Sequence, residues 1–201
     1  MSDPKGKNKE MDTGRRNLLA VTVTAGGVAS VATALPFAAT MLPSERAKAL
    51  GAPVDAEIGT MAPGDMQILE WRGKPVWIVR RTKEMLEGIK KSAGSVADPK
   101  SDVPQQPDYA KNEFRSIKDE YAVLVGVCTH LGCSPQLKPS EAQAEMGSNW
   151  AGGFYCPCHG SKFDFAGRVY KGAPAPTNLE VPPYTYLSDT KIRIGDDKKG
   201  A

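Results

Sequence analysis

Histidine and cysteine, the residue types that most often bind transition metals, are scarce in this chain. Its 201 residues include only two histidines and four cysteines. All six fall in two short segments, residues 128–133 (CTHLGC) and 156–159 (CPCH). Cysteine and histidine that serve only core packing would be scattered along the chain. Their distribution therefore indicates one metal site built from two loops.

A strong net charge is also lacking. Basic residues number 26 and acidic residues 23, which leaves a formal charge of +3. A chain this close to neutral does not present the broad basic surface of a nucleic-acid-binding protein, so we expect no nucleic-acid partner. The excess is local, because five basic and three acidic residues precede Leu18. Such an excess before an apolar segment predicts a cytoplasmic N-terminus, here residues 1–17.

Charged residues are absent from residues 18–42. As a helix, these 25 residues span about 37 Å, which exceeds the roughly 30 Å of a bilayer's hydrocarbon core. Pro36 interrupts the run, but membrane helices tolerate proline where neighbouring groups compensate. We therefore predict one transmembrane helix over residues 18–42, with the rest of the chain on the far side of the membrane.

Arg15 and Arg16 stand directly before this apolar run and resemble a twin-arginine export signal. Such export moves folded proteins, which suits a cofactor inserted in the cytoplasm. An alternative is that the arginine pair acts only as a topology anchor. A small-x-small sequence, ATA at residues 32–34, is also compatible with peptidase cleavage. We favour an uncleaved anchor in a bacterial inner membrane, with the remaining chain in the periplasm.

Strand patterns dominate the sequence after a polar, proline-bracketed segment at residues 43–53, which is either a helical turn or a flexible tether. Residues 66–71 and 75–80 predict a hairpin, and residues 82–91 predict a helix behind a threonine N-cap. Residues 92–106 are rich in Ser, Asp and Pro and predict a surface excursion, while residues 121–127 predict a buried strand that leads to Cys128. Further short strands are expected at residues 168–170, 179–181, 184–187 and 191–194. Residues 54–201 are thus predicted to form an all-β head with one helical insertion.

Two metal sites are compatible with the six rare residues. A structural zinc site uses four of them and leaves two thiols without a role. A two-iron, two-sulfide cluster with mixed ligands uses two cysteines on one iron and two histidines on the other. The export signal predicts an oxidising compartment, where two remaining cysteines can pair. This agreement favours the iron–sulfur cluster over a zinc-stabilised periplasmic binding module.

The two segments resemble the signature boxes of the Rieske subunit of respiratory quinol–cytochrome c reductase, the cytochrome bc complex. Residues 172–176 (GAPAP), followed by residues 178–182, resemble that family's proline loop, which covers one side of the cluster. Residues 44–53 resemble its hinge. The likeness covers nearly the whole chain and implies antiparallel sheets, a small cluster-binding subdomain at about residues 126–178, and the single N-terminal transmembrane helix.

The resemblance implies a set of ligands for one [2Fe-2S] cluster. Cys128 and Cys156 are expected on the buried iron, and His130 and His159 on the outer iron. It also implies a disulfide between Cys133 and Cys158 that joins the two loops.

Further residues are carried over from the same resemblance. The hydroxyl of Ser161 is expected to donate to a bridging sulfide, and Leu131 is expected to pack the cluster tip into a quinol pocket. Pro174 belongs to the loop that shields the cluster. Many members with a high redox potential have a tyrosine where this chain has Phe163, so we expect a lower potential here.

The function implied is electron transfer from quinol. His159, with His130 beside it, is expected to meet quinol in a pocket of the cytochrome b subunit, where His159 takes a proton as the cluster takes an electron. The head then moves to a c-type cytochrome subunit of the same complex, which is expected to be homodimeric. The small subunit of arsenite oxidase, also a twin-arginine substrate, is the alternative within Rieske proteins. The chain is not expected to turn over quinol alone.

Overall fold

The structure, a computed structural model, describes residues 13–44, 47–48 and 51–196. Two compact units are distinguished, Met1–Lys48 and Ala49–Ala201. The first contains the apolar helix and the second contains the metal-site residues.

Helix α1, Thr13–Thr40, is the apolar helix of the first unit. Its 28 residues span about 42 Å, and its most apolar window has a mean hydropathy of 1.9, so it is long and apolar enough to cross a membrane. The helix begins earlier than predicted and includes Arg15 and Arg16. Hydroxyls along it, such as those of Thr24 and Ser30, donate to carbonyls four residues earlier. These bonds satisfy the polar side chains within the helix, as a lipid environment requires.

Only part of the predicted hinge lies within the described residues. Ser44 accepts hydrogen bonds from Ala47, through its side chain at 3.1 Å, and from Lys48, through its carbonyl at 2.9 Å. These bonds form a helical turn, one of the two conformations expected for this segment. Residues 45, 46, 49 and 50 lie outside the described residues.

The second unit is built from three antiparallel sheets of three strands each, as far as residues 51–196 show. The first contains β1 (Val54–Glu57), β9 (Lys191–Ile194) and β8 (Tyr184–Ser188), in that order. The second contains β2 (Met66–Trp71), β3 (Lys74–Arg80) and β4 (Tyr121–Val125). The third contains β5 (Gln136–Lys138), β6 (Gly153–Tyr155) and β7 (Lys162–Phe163). The prediction of an all-β head is confirmed.

The β2–β3 hairpin forms where the sequence predicts it. Arg72 and Gly73 both have positive φ, at 52° and 71°, as the tight turns that join twisted strands require. All five residues of β4 are buried. This strand ends two residues before its predicted end, because the Val127 amide turns back to the Val125 carbonyl at 2.8 Å. That turn carries the chain into Cys128.

Helix α2, Lys83–Ser92, is the predicted helical insertion. The Thr82 hydroxyl accepts from the Met85 amide at 3.3 Å and caps the helix. Ile89 is fully buried and faces the core. A second helix, α3 (Gln143–Met146), and single 3₁₀ turns at Asp108–Ala110 and Ser140–Ala142 were not predicted.

The segment at residues 92–106 is largely at the surface, as predicted, but buried residues also anchor it to the head. Val96 and Ser101 are fully buried. Val96 forms a β-bridge with Tyr170, and the Ala97 amide donates to the Val169 carbonyl at 2.8 Å. The segment is held by long-range hydrogen bonds that its polar composition does not reveal. The strands predicted at residues 168–170 and 179–181 are likewise reduced to isolated bridges and irregular backbone.

One large apolar core connects the sheets. The rings of Trp77, on β3, and Phe154, on β6, stack with centroids 5.0 Å apart. Cys128 and Cys156 belong to the same buried cluster. The two cysteines are therefore positioned by the head's main core.

Candidate metal centre

The first ligand loop, residues 128–133, is closed by its own backbone. The Cys128 amide donates to the Cys133 carbonyl at 2.7 Å, and the Gly132 amide donates to the Cys128 carbonyl at 3.0 Å. Gly132 has φ of 85°, a left-handed conformation that glycine adopts without strain. The loop therefore turns tightly shortly after the end of β4, the strand that leads to Cys128.

The second ligand loop, residues 156–161, has the same construction. The Cys156 amide donates to the Ser161 carbonyl at 2.8 Å, and the Gly160 amide donates to the Cys156 carbonyl at 2.9 Å. Gly160 has φ of 79°. In both loops the cysteine bonds the residue five positions later and the glycine lies four positions later. The loops differ in where the histidine stands, since His130 is two residues after its cysteine and His159 is three.

The two loops meet, and all six rare residues lie together. The imidazole centroids of His130 and His159 are 4.7 Å apart, with the rings nearly perpendicular at 86°. Cys133 and Cys158 form a disulfide between the loops, with their Cα atoms 6.7 Å apart. Cys128 and Cys156 are not disulfide-bonded, and both are buried with 2% exposure.

Two features of this site match the donor set of a mixed-ligand two-iron cluster. The thiols of Cys128 and Cys156 are buried and lie within hydrogen-bond distance of each other. Among the described residues, the buried Nδ1 atom of His130 has no hydrogen-bond partner. An orphaned buried nitrogen is unfavourable unless it binds something. Two buried thiols with an unpartnered imidazole nitrogen therefore fit such a cluster.

The electrostatics of Cys156 reflect its burial. Desolvation raises the pKa of the Cys156 thiol above its ordinary value, while the backbone amide of Cys158 acts in the opposite direction. An adjacent metal cation stabilises a thiolate strongly, which offsets the desolvation. Burial thus favours the protonated thiol of Cys156 over its thiolate.

A three-cysteine metal site is not available in this disulfide-bonded form. The sulfurs of Cys133, Cys156 and Cys158 lie within 4.8 Å of one another. Two of the three are joined to each other in the disulfide, so they have no thiolate to offer. This pairing disfavours a zinc site composed of those sulfurs.

The proline loop, residues 172–176, is hydrogen-bonded to one ligand loop, and its C-terminal neighbour is bonded to the other. The Ala175 amide donates to the Ser161 hydroxyl oxygen at 3.0 Å, and the Thr129 hydroxyl donates to the Thr177 carbonyl at 2.7 Å. Because Ser161 accepts in its bond, its own hydrogen can donate to another acceptor. Thr129 was not singled out from the sequence, although its position between Cys128 and His130 was a signal.

The outer face of the site is open. Leu131 is 71% exposed, and His159 and Pro174 are also exposed, while His130 is half-buried. Phe163, in contrast, is fully buried and pairs in register with Phe154. Of the residues predicted to shield or tune the cluster, Leu131 and Pro174 are thus exposed and Phe163 is buried.

A buried ionic network behind the second loop was missed at the sequence level. Arg168 and Asp164 form an ion pair at 2.8 Å with both side chains 1% exposed. Arg81 and Arg115 are also buried, and desolvation lowers the pKa of each to about 10. Their guanidinium groups donate mainly to backbone carbonyls, such as those of Phe114 and Leu179. Only the four-residue spacing of Asp164 and Arg168 hinted at this network.

Comparison with known proteins places this architecture among relatives. Residues 53–184 match the family model described as Rieske [2Fe-2S] domain. The ubiquinol-cytochrome c reductase iron-sulfur subunit of Allochromatium vinosum is 53% identical over 187 residues, covering 93% of this chain and 90% of that protein. Its counterpart in Blastochloris viridis is 43% identical, covering 90% and 92%. A chain of a hyperthermophilic respiratory Complex III is 26% identical with a TM-score of 0.46, covering 86% of this chain and 98% of that one.

Proposed function

This chain belongs to the Rieske [2Fe-2S] domain family, as an iron–sulfur subunit of ubiquinol–cytochrome c reductase, and on that premise we propose which of its residues carry out electron and proton transfer. It is a component of an oxidoreductase complex that includes cytochromes. Its [2Fe-2S] cluster accepts and releases one electron at a time. The arsenite oxidase alternative is not favoured, since the similar proteins are quinol–cytochrome c reductase subunits.

The proposed ligands are Cys128 and Cys156 on the inner iron and His130 and His159 on the outer iron. The burial of both thiols supports the inner assignment, and the more exposed imidazoles support the outer one. His130 binds through Nδ1, the buried nitrogen that has no other partner within the described residues. Cys133 and Cys158 bind no metal and hold the loops together.

His159 is proposed to be the catalytic residue that receives the quinol proton, with His130 beside it. Its imidazole is exposed and lies 4.7 Å, between ring centroids, from that of His130, which directly precedes the exposed Leu131 in the chain. A polar acceptor flanked by an exposed apolar surface suits a quinol, whose ring is apolar and whose hydroxyl donates a hydrogen bond. The observation that carries the proposal is this pair of adjoining imidazoles above two buried thiols.

The proposed partners are the cytochrome b subunit, which supplies the quinol pocket, and the c-type cytochrome subunit, which receives the electron. The complex is proposed to be a homodimer, and the head to move between its partners on residues 43–53. The N-terminal residues 1–17 lie in the cytoplasm, residues 18–42 cross the bacterial inner membrane uncleaved, and the head, residues 54–201, lies in the periplasm after twin-arginine export. The apolar helix supports the anchoring, and the charge excess before it supports this orientation.

Electron paramagnetic resonance of the purified full-length protein tests the proposal. Reduction with dithionite should produce the signal of a reduced [2Fe-2S] cluster, whereas a zinc protein stays silent. Cys128→Ser should abolish the signal. In the assembled complex, His159→Ala should stop quinol-driven reduction of the c-type haem. Quinol oxidation at the wild-type rate by a complex with His159→Ala would refute the proton-transfer role.

A further inference from the structure

We propose that Asn178 is a positioning residue for the cluster, because its carboxamide holds the proline loop against the ligand loops. The inference rests on the proposed cluster site. It gives a role to the segment at residues 92–106, which sequence patterns present as a simple excursion.

The carboxamide of Asn178 joins three parts of the chain. The residue is 1% exposed. Its Oδ1 accepts from the Val169 amide at 2.9 Å, and its Nδ2 donates to the Asp98 carbonyl at 3.2 Å. Val169 and Asn178 flank the proline loop on either side. One side chain therefore joins the two ends of that loop at Val169 and Asn178, which we call its neck, and attaches this neck to residue 98.

Backbone hydrogen bonds alone do not hold the two ends of the proline loop together. Pro174 and Pro176 have no amide hydrogen, so two donors of the loop are missing. At the neck, the Leu179 amide donates to the Gly167 carbonyl at 2.8 Å, just outside the pair that Asn178 bridges. A buried backbone amide such as that of Val169 needs a partner, and Asn178 supplies it. The Asn178 side chain thus supplies the hydrogen bond that a paired strand would give to the Val169 amide.

The support on the other side of Asn178 is itself well fixed. The Asp98 carboxylate accepts from the amides of Asp102 and Val103 at 2.9 and 3.1 Å. The Ala97 amide donates to the Val169 carbonyl at 2.8 Å. Residue 98 is therefore held by two hydrogen bonds within its own segment, and its neighbour Ala97 is bonded to the neck, both independently of the bond to Asn178.

Because its neck is fixed, the proline loop stays close enough to bond both ligand loops. Thr177 precedes Asn178, and its carbonyl accepts the hydrogen bond from Thr129, which lies between Cys128 and His130. Within the proline loop itself, the Ala175 amide donates to the Ser161 hydroxyl oxygen. Both contacts depend on the loop staying close to the cluster, so releasing its neck weakens the contacts to both ligand loops.

The test compares Asn178→Ala with Asn112→Ala in the full-length holoprotein. Asn112 is an exposed control whose carboxamide also bridges backbone groups, donating to the Ser116 carbonyl at 2.7 Å and accepting from the Phe114 amide at 3.1 Å. Within residues 51–196, its carboxamide hydrogen bonds join it to Tyr109, Phe114 and Ser116, and none reaches the proline loop or a ligand loop. Asn112→Ala therefore shows the effect of removing a carboxamide bridge that lies away from the cluster site.

Three measurements distinguish the variants. In Asn178→Ala, amide hydrogen exchange should accelerate in peptides covering residues 169–178, cluster loss to a chelator should become several-fold faster, and the reduced cluster's paramagnetic resonance lines should broaden. Asn112→Ala should match the wild type in all three. If Asn178→Ala does not accumulate, Asn178→Ser, with a hydroxyl too short to reach both partners, should show the same changes.

The outcomes separate this inference from the proposed function. If the wild type shows the cluster signal but Asn178→Ala behaves like Asn112→Ala, the positioning role alone is overturned. A wild type that never shows a reduced [2Fe-2S] signal overturns the proposed cluster site and this inference with it.

Discussion

Thr129 donates its hydroxyl hydrogen to the carbonyl of Thr177 at 2.7 Å, although 48 residues separate them along the chain. Ser161, in the second ligand loop, has the opposite role, because its hydroxyl oxygen accepts from the Ala175 amide at 3.0 Å. Each ligand loop is therefore bonded to the same covering segment, and the disulfide joins the two loops to each other. The cluster site is bordered by three segments that stabilise one another, and each contact between them leads to its own prediction.

The disulfide is expected to protect the cluster without ligating it. Cys133→Ser should leave a cluster that assembles but is lost faster, because the two loops are no longer covalently joined. Cys128→Ser should retain no cluster, since a ligand is missing. Iron content and visible absorption of the two purified variants give the comparison. Complete iron loss in both, with folded protein, would show that Cys133 is as essential as a ligand.

The Ser161 hydroxyl is expected to raise the redox midpoint potential. Removing one hydrogen bond to the cluster, worth about 1 kcal/mol, should lower a one-electron midpoint by tens of millivolts at about 59 mV per tenfold change. Ser161→Ala tests this by redox titration of the head. Ser188→Ala, in β8, is the control and should titrate as the wild type. An equal midpoint in Ser161→Ala would mean that the hydroxyl does not donate to the cluster.

Phe163→Tyr is expected to raise the midpoint by tens of millivolts if its new hydroxyl donates to a cysteine sulfur, by the same argument. The side chain is fully buried, so the hydroxyl must find a partner inside the head. Phe154→Tyr is the matched control, because Phe154 is fully buried and pairs with Phe163 in register. It should lower stability without raising the midpoint. A hydroxyl seen on the sulfur with no change in midpoint would contradict the expectation.

Asp164→Asn is expected to destabilise the head by about 3–5 kcal/mol, because it leaves the guanidinium of Arg168 buried without its countercharge. The Asp164 carboxylate also accepts from the amides of Ala166 and Arg168 at 2.9 Å. Asp189→Asn removes an exposed ion pair with Lys118 and should cost at most about 1 kcal/mol. Denaturant unfolding of both variants measures the difference. Similar small losses in the two would show that the buried pair contributes little.

The pair formed by Asp55 and Arg193 predicts an acid-dependent part of the stability. The Arg193 guanidinium, whose Nε lies 2.6 Å from Asp55, lowers the pKa of that carboxyl below its usual 3.8. The unfolded chain therefore binds a proton at a higher pH than the folded head. The contribution is present above the unfolded value and is lost as pH falls through the folded one.

Asp55→Asn should remove that part of the pH dependence and leave the rest unchanged. The effect is modest because both side chains are about one-third exposed. Unfolding free energies measured between about pH 6 and pH 2, for the wild type and Asp55→Asn, provide the test. Parallel curves for the two proteins would exclude a contribution from this pair.

The sequence by itself determined the features that depend on local pattern. Two rare residue types confined to two boxes indicated the metal site. The uncharged residues 18–42 indicated the apolar helix, and alternating strands around Arg72 and Gly73 indicated the hairpin. Each depends on neighbours along the chain, where backbone geometry and periodicity act directly.

Tertiary structure alone decided the rest. Four cysteines allow three disulfide connectivities from sequence, and residue-level reasoning without a family resemblance does not choose among them. In the fold, Cys128 and Cys156 follow buried strands into the core, while Cys133 and Cys158 lie toward the surface and meet each other. Residues 92–106 are anchored to the head through bonds such as that from Asn178 to residue 98, which spans 80 positions. Contacts of that range leave no trace in local composition, because the partners are brought together only when the sheets pack.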